Sequence, residues 1–415
     1  MHMPAYYEFC CKVNIVAGPD ALSQIPSLLA AKGVFRPMIL TDKGVAGAGL
    51  TDIVTQAIGD TLTIPAVEDD IPPDSDVRVV NRLAGVYREK GCNAIIAVGG
   101  GSVLDTAKGV NILVSENADD LMAFTGAGAL KRPLRPLIAV PTTAGTGSEV
   151  TLVAVIADHD NSRKMLFSSD FLLPDAAIID PRMTATLPPH ITSATAMDAM
   201  AHAVEAYTML AKNPLSDAHA VEAITLIRDH LLPVIADPGN TRGRLALACA
   251  ATMAGIAFSN AMVAMVHALG HSVGSICHVP HGTCMAILLP YGLEYNLHKV
   301  EDRIAHLLLP LAGPDVFART PEKDRASAAI EWIRAFNRKL NQATDKKHPT
   351  CLKDIIGQDG SPRVLRSDLP RIARTALGDG AVFYNPEDLD YQDLLMVAEA
   401  AWEGIPLDLS KIKKG

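Results

Sequence analysis

The chain has 415 residues, 49% hydrophobic and 20% charged, so a large core can form and wholesale disorder is excluded; the length leaves room for two or more domains at roughly 100–200 residues each. Aromatic residues are only 5%, with 30 Gly and 27 Pro, which excludes a collagen-like chain and an aromatic-rich β-protein. Lys and Arg number 37 against 46 Asp and Glu, a net charge of −9, so the broad cationic footprint that nucleic acid or an anionic membrane would need is missing and neither is expected as a partner.

Residues 1–8 show no basic stretch followed by an apolar one, and the seven cysteines contain no CxxC pair. Reduced thiols and a cytoplasmic location are the expectation. Residues 1–187 then alternate short apolar runs with helix-like segments. Residues 37–42 read as a strand ending in the carboxylate of Asp42. Residues 93–98 read as a strand ending in Gly99-Gly100-Gly101-Ser102, and residues 137–140 as one ending in Pro141-Thr142-Thr143-Ala144-Gly145-Thr146-Gly147-Ser148. Continuous apolar runs of this length fit parallel strands covered on both faces. The βαβ rhythm predicts an α/β domain with a parallel, doubly wound, Rossmann-like sheet over 1–187. After Leu187-Pro188-Pro189 the strand-like runs fade and Ala, Leu and Met recur at helical spacing, so 188–415 is expected to be an all-α domain.

Ligands of doubly wound sheets bind outside the carboxyl ends of the strands, so three strand ends rich in Gly, hydroxyl and carboxylate groups mark a mouth. Gly100, Gly101 and Ser102 would let backbone approach a pyrophosphate at a helix N-terminus, although a bare tight corner reads the same way. Thr142, Thr143 and Thr146 offer hydroxyl donors. Asp42 could accept from ribose hydroxyls and would repel a 2′-phosphate, which favours NAD over NADP; a plain helix N-cap is the other reading of Asp42.

Thirteen histidines are unevenly spread: after His2 none occurs until His159, and His267, His271, His278 and His281 fall within fifteen residues. Those four lie in a stretch, 245–293, without Asp, Glu, Lys or Arg. Residues 245–269 are long enough to span a bilayer, which needs about 20 apolar residues, but their Ala, Gly and Met content, with Ser259, Asn260 and His267 inside, predicts buried helices and no membrane span. Asp198 and His202 stand four apart in the helix-like segment 194–207, so both side chains can reach one ion, and His267 and His271 repeat the spacing. One Asp with three His suits Fe2+ or Zn2+ and not the all-oxygen shells of Ca2+ or Mg2+. Cys277-His278, His281 and Cys284 form a rival cluster, at a spacing unlike common zinc knuckles.

Four motifs, Gly99-Gly100-Gly101-Ser102, Pro141 through Thr151, Asp198-Ala199-Met200-Ala201-His202-Ala203-Val204-Glu205-Ala206-Tyr207, and Val266-His267-Ala268-Leu269-Gly270-His271 with Pro280-His281-Gly282, occur in the order seen in the iron-containing (group III) alcohol dehydrogenases, which the chain resembles from near residue 6 to its end. The resemblance implies a dehydroquinate synthase-like architecture, with an NAD-binding α/β domain followed by a helical domain that holds the metal and substrate. It implies Asp198, His202, His267 and His281 as metal ligands, with Fe2+ expected and Zn2+ the alternative. His271 matches the second histidine of the family's pair, near the substrate but off the metal, and is expected to carry protons or to orient a ligand. Asp42, Gly100, Gly101, Ser102, Thr142, Thr143, Thr146 and Lys164 match NAD-contacting positions, and Phe258 matches a wall of the substrate pocket. Val153 replaces an Asn of some diol-using relatives, and Val382-Phe383-Tyr384 replaces a Cys with small residues before Asn385-Pro386. Both changes lean toward small primary alcohols and aldehydes. A diol or lactaldehyde reductase, or a hydroxyacid–oxoacid transhydrogenase, on the same scaffold is the alternative activity, and a non-catalytic metal- or nucleotide-binding protein is the alternative class. Homo-oligomers, dimers or larger, are expected.

The implied chemistry follows from charge. A 2+ ion with one carboxylate and three neutral imidazoles keeps a net +1, which favours the deprotonated form of an alcohol and polarises an aldehyde.

Overall fold

The computed structural model describes residues 4–158, 163–357 and 359–412. It divides into two compact units, one over Cys10–Leu187 and one from Pro188 onward that also takes in the described residues up to Phe9. Phe9 belongs there by contact: its ring stacks on His219 with centroids 5.7 Å apart.

Among the described residues, the Cys10–Leu187 unit contains nine strands, in chain order β1 (Asn14–Ala17), β2 (Pro37–Leu40), β3 (Ala66–Glu68), β4 (Ala94–Gly99), β5 (Gly126–Ala127), β6 (Leu137–Pro141), β7 (Val153–Asp158), β8 (Arg163–Ser168) and β9 (Ala176–Ile179). Six of them form one sheet in the order β1-β9-β6-β4-β2-β3, every pair parallel. Its helices are α1 (Ile25–Ala30), α2 (Lys43–Gly47), α3 (Leu50–Ile58), α4 (Val77–Glu89) and α5 (Gly101–Glu116). Successive strand side chains point to opposite faces, and both faces are covered. Ile95 and Ala97 of β4 join a core with Val80, Leu83 and Val110 of α4 and α5. Ile96 and Val98 join a second core with Ile25, Leu29 and Val54 of α1 and α3. That is why the strand reads as an unbroken apolar run, and why Ile96→Ala would cost about 2–5 kcal/mol.

The sheet order reverses between β2 and β4. From β2 the chain moves outward to β3; from β4 it moves the other way, to β6 and β9. Such a reversal opens a crevice outside the carboxyl ends of the two adjacent strands. Leu40 pairs with Ala97 in the register there, so Asp42 after β2 and Gly100 after β4 leave the same edge. A second sheet, β5-β8-β7, has an antiparallel β7–β8 pair that the apolar pattern did not announce.

The second unit is helical: α6 (Pro189–Thr208), α7 (Pro214–Ala236), α8 (Thr241–Ala261), α9 (Met265–Cys277), α10 (His281–Ala312), α11 (Pro314–Arg319), α12 (Arg325–Ala343), α13 (Leu369–Ala376) and α14 (Tyr391–Glu403). The uncharged stretch does not form one rod. It breaks after α8 at Met262, whose φ of 67° lies in the left-handed region disfavoured for a side chain of that size, and resumes at α9. Among the described residues, α8 is the one helix long and apolar enough to cross a membrane, and 61% of its most apolar window is buried against the rest of the fold, α6 and α7 included.

Candidate metal centre and cofactor cradle

Three helices bring the histidine-rich motifs together. On α6, where residues 196–206 are buried without exception, Asp198, His202 and Glu205 recur at steps of four and three and so share one face. α9 carries His267 and His271. α10 starts at His281, and its approach to α6 depends on Gly282, because a Cβ at that position would stand 2.3 Å from the carbonyl oxygen of Ala194. That close contact places His281 Nε2 3.2 Å from Asp198 Oδ1, and His202 Nδ1 lies 3.9 Å from the same oxygen. One ligand-type atom from each of Asp198, His202, His267 and His281 falls within 4.8 Å of all the others. Among the described residues this is the one group of three or more such side chains to converge.

The atoms of this group fit a divalent ion. Asp198 Oδ1, His202 Nδ1 and His267 Nε2 are buried and make no hydrogen bond, a costly arrangement unless something else satisfies them. Bonds of about 2.1 Å in a tetrahedral shell put neighbouring ligand atoms about 3.4 Å apart, close to the 3.2 and 3.9 Å seen here. Burial holds the His202 imidazole down at about 3 and pushes His267 well below the usual range, so both present neutral nitrogen. Burial opposes the charge on Asp198, but the imidazoles of His202, His281 and His267 outweigh it and keep its pKa below the ordinary carboxylate range. One carboxylate and three imidazoles are a donor set for Fe2+ or Zn2+.

Neighbouring groups hold the four in place. The Phe258 ring stacks on His202 at 4.2 Å, and His202 stacks on His267 at 4.5 Å. Glu205 Oε2 pairs with His267 Nδ1, while Glu205 Oε1 accepts from the backbone N–H of Ala264 and Val266. His271 is outside the converging group: its ring stacks on His281 at 5.3 Å, its Nδ1 donates to Asp379 Oδ2 at 2.8 Å, and its side chain is 44% exposed. Asp379 also caps the short turn Gly380–Tyr384 by accepting from Ala381 N. The rival cluster does not assemble; Cys277 Sγ donates to Asp368 Oδ2 and Cys284 Sγ to the carbonyl of Val279.

In the Cys10–Leu187 unit the strand-end loops interlock. A Cβ on Gly100 would meet Thr143 Oγ1 at 3.3 Å, and one on Gly101 would meet Thr146 Cγ2 at 3.0 Å. Thr142 N donates to the carbonyl of Gly99. The sixteen-residue α5 begins at this corner, and its first-turn N–H groups and dipole favour an anion. Ser102 Oγ accepts from Asp74 N, and Lys164 Nζ lies 3.8 Å from Asp74 Oδ1, so those two predicted contacts gather at one loop. Asp42 is an N-cap: its Oδ1 accepts from Val45 N at 2.9 Å at the start of α2. Val153 sits on β7, with its carbonyl bound by Lys108 Nζ at 2.8 Å. Lys108 also binds Ser148 Oγ and the carbonyl of Thr151, pinning the threonine-rich loop from below. Burial pulls the Lys108 ammonium down to about 8 against the carboxylates of Asp105 and Glu149.

Glu205 lies inside a sequence motif that assigned it no role, and Lys108 and Asp105 lie outside all four motifs. The signal for Glu205 was available: it stands three residues after His202 and seven after Asp198, on the ligand face of α6. Asp379 gave none, because it is 108 residues from His271.

Comparison with known proteins settles the family. Residues 13–181 match the model for iron-containing alcohol dehydrogenase, and residues 192–402 match the model for the C-terminal part of the same Fe-containing family. The chain belongs to the iron-containing alcohol dehydrogenases. It is 34% identical over 388 residues to the 1,3-propanediol dehydrogenase of Klebsiella pneumoniae, covering 93% of this chain and 96% of that protein. It is 30% identical over 386 residues to the NAD-dependent methanol dehydrogenase of Bacillus methanolicus, covering 93% and 97%. A crystal structure of a 1,3-propanediol oxidoreductase superposes with a TM-score of 0.88 at 31% identity, over 95% of this chain and all of that one. As a family member, the protein is a metal-dependent oxidoreductase that transfers hydride between NAD(H) and an alcohol or aldehyde. Its cofactors are NAD and a divalent metal, typically Fe2+ in this family.

Proposed function

We propose that Asp198, His202, His267 and His281 hold the divalent ion, that Asp42, Gly100, Gly101, Ser102, Thr142, Thr143, Thr146 and Lys164 bind NAD, and that the substrates are small primary alcohols and their aldehydes. The observation that carries the metal assignment is the set of three buried, unbonded ligand atoms on Asp198, His202 and His267. The assignment makes 1–187 the NAD-binding domain and 188–415 the metal and substrate domain.

When bound, the nicotinamide carries the hydride and the ion supplies Lewis acidity. The protein's own residues do the rest. The interlocked glycine and threonine loops grip the pyrophosphate, and the Asp42 carboxylate meets the ribose. Phe258, stacked on His202, gives the substrate an apolar wall, which a simple alkyl chain tolerates and a second hydroxyl does not. His271, half open to solvent and held through Nδ1 by Asp379, passes the alcohol proton to water by way of its other nitrogen.

We place the enzyme in the cytoplasm as a homo-oligomer without nucleic-acid or membrane partners. All seven cysteines are free thiols, in keeping with a reducing compartment, and α8 is packed within its own unit.

The test is a panel of primary alcohols, diols, 2-hydroxy acids and their aldehydes, run with NAD(H) on protein reconstituted anaerobically with Fe2+ or Zn2+. Highest kcat/KM on short primary alcohols supports the reading. A preference for diols, or turnover that needs no added NAD, overturns it.

A further inference from the structure

The carboxylate of Glu205 is not among the four converging side chains, yet it is 1% exposed and every hydrogen bond it makes bears on them. Its Oε1 takes two backbone N–H groups, from Ala264 and Val266, at 3.2 and 3.0 Å. These are donors at the start of α9 that no helix bond satisfies. Its Oε2 takes His267 Nδ1. Two residues before this grip the backbone passes through Met262 at φ 67°, so the joint between α8 and α9 is strained close to where Glu205 seizes it. Glu205 is itself rooted in α6, one turn beyond His202 and two beyond Asp198.

We propose that Glu205 is the positioning residue of the metal centre. It fixes His267 in the tautomer whose Nε2 is bare, and it ties the start of α9 to the helix that carries two of the other ligands. This rests on the reading of His267 as a ligand. The chemistry is one of donors and acceptors. An imidazole with its proton on Nδ1 must leave Nε2 as a lone pair, and His267 Nε2 is the buried atom without a hydrogen bond. Outer carboxylates of this kind orient ligating histidines in metal sites generally, and their loss weakens metal binding about 10–100-fold.

Glu205→Gln separates this role from mere packing. The amide has the same shape but only one acceptor. With its oxygen on Ala264 and Val266, its NH2 faces His267 Nδ1 and demands the tautomer with a proton on Nε2. Flipped, its NH2 faces two backbone donors. Zinc-loaded wild type, Glu205→Gln and His267→Ala would be challenged with graded chelator, and the zinc-free proteins unfolded thermally to confirm that each is folded. Selective 15N-histidine NMR on the zinc-free wild type reads the His267 tautomer directly.

The expected result is zinc affinity 10–100-fold weaker in folded Glu205→Gln, with His267 protonated on Nδ1 in the wild type. Zinc affinity within twofold of wild type in folded Glu205→Gln, or His267 protonated on Nε2 in the wild type, overturns the proposal. If Glu205→Gln does not fold, the tautomer alone decides. Full zinc retention by His267→Ala would reject the ligand assignment; loss in His267→Ala with retention in Glu205→Gln would reject only the role of Glu205.

Discussion

His271 and Asp379, 108 residues apart in the chain, meet through a 2.8 Å hydrogen bond from imidazole Nδ1 to carboxylate Oδ2. The bond joins α9 to the turn at Gly380–Tyr384 and aims the other ring nitrogen. Burial works against the charge on Asp379, but the bond from His271 and the nearby imidazole hold its pKa below the ordinary range, so it remains the acceptor. Proton transfer by a positioned side chain contributes about 10²–10⁴-fold to rate. His271→Gln is therefore expected to lower kcat about 100-fold and to change the pH dependence of kcat, with the metal retained. Asp379→Asn should lower kcat by a smaller factor. Steady-state pH profiles check both, and an unchanged profile for His271→Gln would remove proton transfer from its role.

If Asp198 and His267 hold the ion as proposed, replacing either should remove it. Asp198→Asn and His267→Ala each leave the remaining buried donors short of a full shell. Elemental analysis after dialysis is expected to give well under one metal per chain, and activity at least 10³-fold down. One metal per chain in both variants would reject the assignment.

Asp42 caps α2, and a single substitution can separate that job from the ribose contact proposed for it. Asp42→Ser keeps an oxygen to accept from Val45 N, so α2 stays capped, while the negative charge is lost. The ratio of kcat/KM for NADP to that for NAD should rise about tenfold or more, each tenfold being 1.4 kcal/mol. No rise would leave Asp42 as a cap and nothing else.

Acid sensitivity has a specific source in His348. It is 2% exposed, with Nδ1 3.1 Å from Ser193 Oγ and Nε2 3.3 Å from Asn337 Oδ1, and burial holds it down at about 4. An unfolded chain binds a proton at its imidazole near pH 6.5; the folded one does not until about pH 4. Above the first value the group costs nothing. As pH falls from 6.5 to 4 the unfolded state takes up the proton and the native state loses stability, by on the order of 3 kcal/mol in total. Denaturant unfolding between pH 7 and 4 should show this slope, and His348→Gln should flatten it. An identical slope in the variant would place the sensitivity elsewhere.

The strands that build the cradle were legible because burial on both faces writes an unbroken apolar run, as in β2, β4 and β6. Edge strand β3, with Val67 half exposed, carries no such mark, and neither does the short β1. The break at Met262 was not legible, because nothing in Asn260-Ala261-Met262-Val263-Ala264 is a Gly or Pro; the tertiary grip of Glu205 overrides local preference there. Of the site, Asp198 and His202 followed from helical spacing. His267, His271 and His281 stood out because a run without charged residues makes histidines conspicuous. Asp379 and the Lys108 anchor depend on contacts between distant segments, which no local pattern encodes.

Gly282 has a consequence beyond local fit. By letting α10 press on α6 it makes His281 part of a clasp whose other jaws are α6 and α9, so a bound ion would rivet three helices, adding to the tie that Glu205 already makes between α6 and α9. An ion at 100 times its dissociation constant adds about 2.7 kcal/mol of native-state stability. Scarcity of metal would then shorten the enzyme's lifetime in the cell as well as silence it, and the two losses would track each other.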